Sequence, residues 1–228
     1  TATKRYPEAT IIMRTDGVGI NVGKALEFYG VELKGRGIGY ISGIMFQATD
    51  TTKGVIIKNS KINAVNTAFK IQKGSDAEYF IDSCDIHGIN QFFAWITDGT
   101  KSFTMMNCTF NGADCGQVEN ANAALIRVRC ACDVKLYHNV FITDEAATNP
   151  GWFEPQVTSA GSFDVQYNEF QMVTKFLFKN GETNEFAVFN NNIYEYKGAT
   201  KYAGYAITNK KDVLYSLFGL RWRRIGTS

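Results

Sequence analysis

Cationic side chains stand inside several short apolar runs: Lys70 in TAFKIQ, Arg127 and Arg129 in ALIRVR, and Lys179 in KFLFKN. Residues two apart on an extended strand leave the same face. Arg127 and Arg129 alternate with Ile126 and Val128, so both are expected to project from one face. A row of such cations across neighbouring strands has the chemistry to neutralise the carboxylates of an acidic polymer, and a Lys or Arg there can also act as a base. A solvated strand face carries the same pattern and is its commoner use. Aromatic side chains offer a second contact, stacking against the flat face of a sugar ring. Trp95 follows Phe92 and Phe93 in FFAWIT, and the Pro/Gly-marked stretch TDEAATNPGWFEPQ holds Trp152, Phe153 and Glu154. Trp152 and Glu154 beside Arg127 and Arg129 make a binding patch on a projecting loop; the competing reading folds Trp152 and Phe153 back over the body of the protein. The candidate substrate-binding residues are therefore Lys70, Trp95, Arg127, Arg129, Trp152 and Glu154, and no catalytic residue is identified.

Other chemistries find less support. Asp82, Asp85 and His87 in IDSCDIHG lack a matching carboxylate pair one repeat away, as hydrolysis across a glycosidic bond requires. Asn107-Cys108-Thr109 has the form of a glycan acceptor, but its place in a recurring apolar block argues that Asn107 is not exposed. No Cys/His spacing suits zinc, and no Gly-rich phosphate loop is present. A formal charge of +2 is too balanced to argue for nucleic acid, and no apolar run approaches the ~20 residues of a membrane helix. Five cysteines in 228 residues exclude a disulfide-built mini-fold while leaving the redox compartment open. The start, TATKRYPEAT, has neither an initiator Met nor the apolar middle of a signal peptide, which is expected of a processed or excised piece.

The elements that must carry these side chains emerge from a repeat. The block FTMMNCTF has a frame of two alternating apolar residues, a third position, and another apolar residue three further on. That frame fits Val55, Ile57, Asn59, Ile62; Tyr79, Ile81, Ser83, Ile86; Phe103, Met105, Asn107, Phe110; Val134, Leu136, His138, Phe141; Phe163, Val165, Tyr167, Phe170; and Phe186, Val188, Asn190, Ile193. Leu26, Phe28, Gly30 and Leu33 precede these units, and Val213, Tyr215, Leu217 and Leu220 follow them more loosely. A step of two marks a half-buried strand, and the change to three marks a one-residue corner. A second apolar strand precedes each block, giving about three short strands per unit and no helix. Parallel strands without helical crossovers are best accommodated by winding the chain into a coil. Stacking at ~4.8 Å makes eight units a rod of roughly 40 Å. Asn59, Asn107 and Asn190 are expected to turn inward as a polar ladder, with Asn139, Asn168 and Asn191 one position later and Cys84 and Cys108 as stacked buried thiols. His138 in the same column is expected to be a hydrogen-bonded core imidazole.

The blocks IIKNSKI, MMNCTF, LYHNVF and VFNNNI resemble the corner motifs of the pectate-lyase-like, right-handed parallel β-helix superfamily, and the opening PEATIIMRTDGVGINVGKALEFYGVEL is similar to its first turns. The resemblance covers about residues 10–220. It implies an all-β fold, a single-stranded right-handed parallel β-helix of about eight rungs in one domain spanning 1–228, with an N-terminal coil at 10–33, regular coils at 34–209 and a C-terminal cap at 210–228. Capping is the first reading of the Arg221, Trp222, Arg223, Arg224 cluster. The pectate-lyase Arg-x-Pro-x-x-Arg signature and the Gly-His-Gly turn of pectin hydrolases are both missing. The resemblance, nearest to β-helical domains of surface proteins from glycan-degrading bacteria, therefore implies an extracellular or cell-surface solenoid that binds or displays against polysaccharide without catalysis or cofactor. The alternatives are a polysaccharide lyase acting by β-elimination with bound Ca²⁺, and a phage-tail or adhesin rod. Monomer and trimer both remain open.

Overall fold

The computed structural model of the chain describes residues 9–13, 17–35, 43–48, 54–72, 77–98, 100–111, 125–142, 153–155, 161–173, 187–196 and 213–216. These residues form an all-β parallel β-solenoid of about four turns, with no helix among them. The winding is visible in one sheet, whose strands Leu26–Tyr29, Gly54–Lys58, Glu78–Asp82, Ser102–Met106, Asp133–Tyr137, Ser162–Gln166 and Ala187–Asn190 stack in chain order. Every pairing is parallel, and Val55, Tyr79, Phe103, Val134 and Phe163 fall in one column as the repeat predicts. About four turns are described from corner to corner; the other rungs of the eight expected fall partly outside the described residues.

Inward positions alternate with outward ones as a period of two requires, and Val55, Ile57, Ile81, Phe103, Met105, Val134 and Leu136 are wholly buried. Past each corner the chain enters the second sheet, where Phe110, Phe141 and Phe170 stack in register. The Phe141 and Phe170 rings lie 4.9 Å apart and nearly parallel. Phe69, Phe93 and Phe103 meet edge to face nearby. Such pairs add about 0.5–1.5 kcal/mol each to the burial of their area.

The corner differs from expectation by one residue. Gly30, Asn59, Ser83, Asn107, His138, Tyr167 and Asn191 all have positive φ, between 49° and 66°. Each bends the chain out of its strand by a single left-handed residue, which leaves the side chain on the outside. Asn59, Asn107 and His138 are accordingly exposed rather than turned into the core. The polar ladder lies one position later, at Ser60, Cys84, Cys108, Asn139, Asn168 and Asn192, all buried. Its lone pairs accept the N–H of the preceding rung: Asn139 Oδ1 from Cys108 at 3.0 Å, Asn168 Oδ1 from Asn139 at 2.8 Å, and Asn192 Oδ1 from Asn168 at 2.9 Å. Cys108 Sγ takes the Cys84 N–H at 3.4 Å in the same way. Both thiols are free and buried, as stacked thiols should be.

Three further expectations shift. Near residue 190 the column runs through Ala187, Phe189 and Asn191, not Phe186, Val188 and Asn190. Val213–Ser216 pairs with Ile193–Tyr196 in the second sheet, so it is not an eighth copy of the first-sheet strand. In two turns the corner strand and its successor fuse into single strands, Lys61–Ile71 and Asp85–Ile96. The proposed cap at Arg221, Trp222, Arg223 and Arg224 lies outside the described residues.

Candidate functional site

The two fused strands carry the site. Lys61–Ile71 pairs with Asp85–Ile96, which pairs with Ile126–Val128, which pairs with Phe153–Pro155. On each, the buried residues Phe69 and Ile71, Ala94 and Ile96, Ile126 and Val128 flank one intervening position. Those intervening residues are in register: Gln47, Lys70, Trp95, Arg127 and Glu154 form one column across five strands. At one rung per step the column spans roughly 19 Å. The sequence-derived candidates Lys70, Trp95 and Arg127 are thus brought together, and the backbone of Glu154 lies beside that of Arg127.

Side-chain contacts join the middle of this column. The Lys70 ammonium lies over the Trp95 ring, 5.1 Å from its centroid. Trp95 packs on Phe92 at 5.1 Å, and the Arg127 guanidinium lies over Phe92 at 4.9 Å. Two cations therefore bracket two aromatic rings, each contact being favourable by about 0.5–2 kcal/mol according to its desolvation. Phe92 is buried yet packs apart from the main core, with Trp95 against it. It is there because of a bulge: Val65 opposes Ile89 and Thr67 opposes Phe92, so Asp85–Ile96 holds an extra residue. Bulges re-aim side chains in this way. Arg127 is only 8% exposed, its charge held against an aromatic face. The indole N–H of Trp95 is buried and has no hydrogen-bond partner, which costs about 1–3 kcal/mol.

Arg129 stands apart. It is exposed, past the end of its strand, where its N–H donates to the Ile96 carbonyl at 2.9 Å. Arg127 and Arg129 are therefore not the equivalent outward pair that alternation implied. Trp152 and Lys179 lie outside the described residues. Gln47 and Phe92 complete the column and its aromatic pair, yet neither was among the sequence-derived candidates. FFAWIT announces Phe92, but only the bulge decides that it faces outward while Phe93 faces in.

Elsewhere the chemistry is sparse. Asp85 and His87 are half-buried, in register with Lys61 and Asn63. Among the described residues no three His, Cys, Asp or Glu side chains are grouped to hold a metal ion, and no helix is long and apolar enough to cross a membrane. Cys130 and Cys132 follow Arg129. Burial, then the Asp98 charge, pushes the Cys130 thiol up to about 11, and burial raises that of Cys132 further, so neither is a ready thiolate nucleophile. Comparison with known proteins gives no family model that matches this chain, no matching curated protein and no matching solved structure.

Proposed function

We propose that this chain is an extracellular or surface β-solenoid that binds polysaccharide without cleaving it, through the column Lys70, Trp95 and Arg127 with Phe92. The observation that carries the reading is the arrangement of two cations around two aromatic rings on in-register strands. Rigid strands hold such a site with little entropy left to lose on binding. An extended glycan lying along the coil axis meets one side chain per rung, with Lys70 and Arg127 two rungs apart for its anionic groups. Displacing Lys70 from the Trp95 ring frees that face for a sugar and opens a route to the unpartnered indole N–H. The sequence repeat and the strong preference of parallel connections for right-handed crossovers support a right-handed coil of about eight rungs, as in the pectate-lyase-like superfamily.

A glycan array tests this directly. Wild-type protein is expected to bind at least one polysaccharide, and Trp95→Ala to weaken that binding ten-fold or more. Absence of binding, or a Trp95→Ala variant that binds normally, overturns the proposal. Lys70 and Arg127 on either side of the Trp95–Phe92 pair also favour a second reading, a polysaccharide lyase. Release of unsaturated, ultraviolet-absorbing product from a uronate polymer, abolished in Arg127→Ala, would establish it in place of the first.

A further inference from the structure

We propose that His138 and Tyr167 form a stacking platform for a pyranose ring, a second carbohydrate contact at a corner of the coil away from the Trp95 column. The ligand class rests on the polysaccharide reading above; the location rests on different residues and different observations. At the corner position every turn adopts positive φ, and most turns use Gly, Asn or Ser, residues small enough to accept it or able to hydrogen-bond locally. His138 and Tyr167 adopt it too, at 55° and 57°. A ring on a left-handed residue is disfavoured relative to the Asn of neighbouring turns, and such strain collects where a side chain serves a task other than stability.

The two rings are stacked, 5.2 Å between centroids and 11° from parallel. Both residues are exposed, Tyr167 by 53%, so the stack does not serve to fill the core. Its support is rigid. The His138 N–H donates to the Gln166 carbonyl at 3.3 Å, and directly beneath, Asn139 Nδ2 donates to Asn168 Oδ1 at 3.0 Å. Polar groups sit on the strand residues that lead into the corner. Tyr137 and Gln166 are register neighbours, each preceding a platform residue, and both donate to the Asp164 carboxylate, Gln166 at 2.7 Å. An outer face of this stack, with a fixed carboxylate and amide on the strands that lead into it, suits a sugar, whose C–H face stacks while its hydroxyls hydrogen-bond. A nucleobase could stack equally well, but its phosphates would approach Asp164 with a chain surplus of only +2 to offset the repulsion.

The test exploits what the other turns already contain. His138→Asn and Tyr167→Asn place at each corner a residue found there in neighbouring turns, so both variants are expected to melt at the wild-type temperature or above it. Cellohexaose, a galactan hexamer, a galacturonate hexamer and oligo-dT serve as probes in calorimetric titrations. Wild type is expected to bind at least one hexasaccharide and not oligo-dT, with affinity falling ten-fold or more in each variant. The proposal is overturned if no hexasaccharide binds, if oligo-dT is preferred, if the variants bind as wild type, or if they melt several degrees lower, which would make the stack a structural device. Trp95→Ala run in parallel separates the two sites. Loss there with normal binding by the corner variants sinks the platform alone, and the converse sinks the Trp95 column alone.

Discussion

Asn168 shows how much one side chain does in this coil. Its Oδ1 accepts from the Asn139 backbone at 2.8 Å and from Asn139 Nδ2 at 3.0 Å, and its own Nδ2 donates to the Leu136 carbonyl at 2.7 Å. All of this is buried, so removing the amide strands groups that water cannot reach. Asn168→Ala is expected to lower unfolding free energy by about 2–4 kcal/mol in denaturant titrations. Cys84→Ala should cost less, because the Cys84 thiol is a weak donor to Ile57 O at 3.6 Å and Asp82 O at 3.2 Å; equal losses would deny the ladder its role. This column was legible in the sequence only to within one residue. The corner residue and the ladder residue are adjacent and both favour Asn, as in Asn190, Asn191 and Asn192, so residue type alone cannot say which turns inward. Backbone φ decides it, and it moves His138 from the expected core to the surface.

Strands impose a different constraint, the closeness of one turn to the next. Gly54 opens its strand at φ 90°, and a Cβ placed there would stand 1.8 Å from the Glu78 carbonyl oxygen in the turn stacked upon it. Neither chain can yield without breaking in-register pairing. Gly54→Ala is therefore expected to destabilise by about 3 kcal/mol or more, whereas Gly23→Ala, with nothing within 4 Å, should stay within about 0.5 kcal/mol of wild type. Thermal melts of the two variants check this, and similar melting temperatures would contradict the close approach. At this scale the sequence was most readable where alternation is clean, as from Val55 to Ile57 and from Phe103 to Met105. It failed where apolar residues run consecutively: Phe186, Ala187, Val188 and Phe189 fit two registers equally, and the structure takes the one passing through Ala187 and Phe189. The site was half legible for the same reason. Lys70, Trp95 and Arg127 follow from alternation, but the bulge that turns Phe92 outward has no signature in FFAWIT.

As a whole the molecule is a stack in which each described turn pairs with its immediate neighbours. Stability in such a stack is approximately a sum of turn and interface contributions, so a perturbation should fade with distance along the coil. The turns are unequal. Those around Tyr79, Phe93, Phe103 and Phe110 bury their aromatic rings completely or nearly so, while Ala9–Ile12 at one end is exposed throughout. Hydrogen exchange followed by mass spectrometry is expected to find the slowest amides in Glu78–Asp82 and Ser102–Met106 and the fastest described strand at Ala9–Ile12. Asn168→Ala should then speed exchange in Asp133–Tyr137 and Ser162–Gln166, whose corners it bridges, and leave Gly54–Lys58, four turns from its own strand, unchanged. If exchange rose equally in every strand, the coil would unfold as one cooperative unit. Local tuning of one turn would then be impossible, and the two carbohydrate contacts proposed on separate turns could not be altered independently.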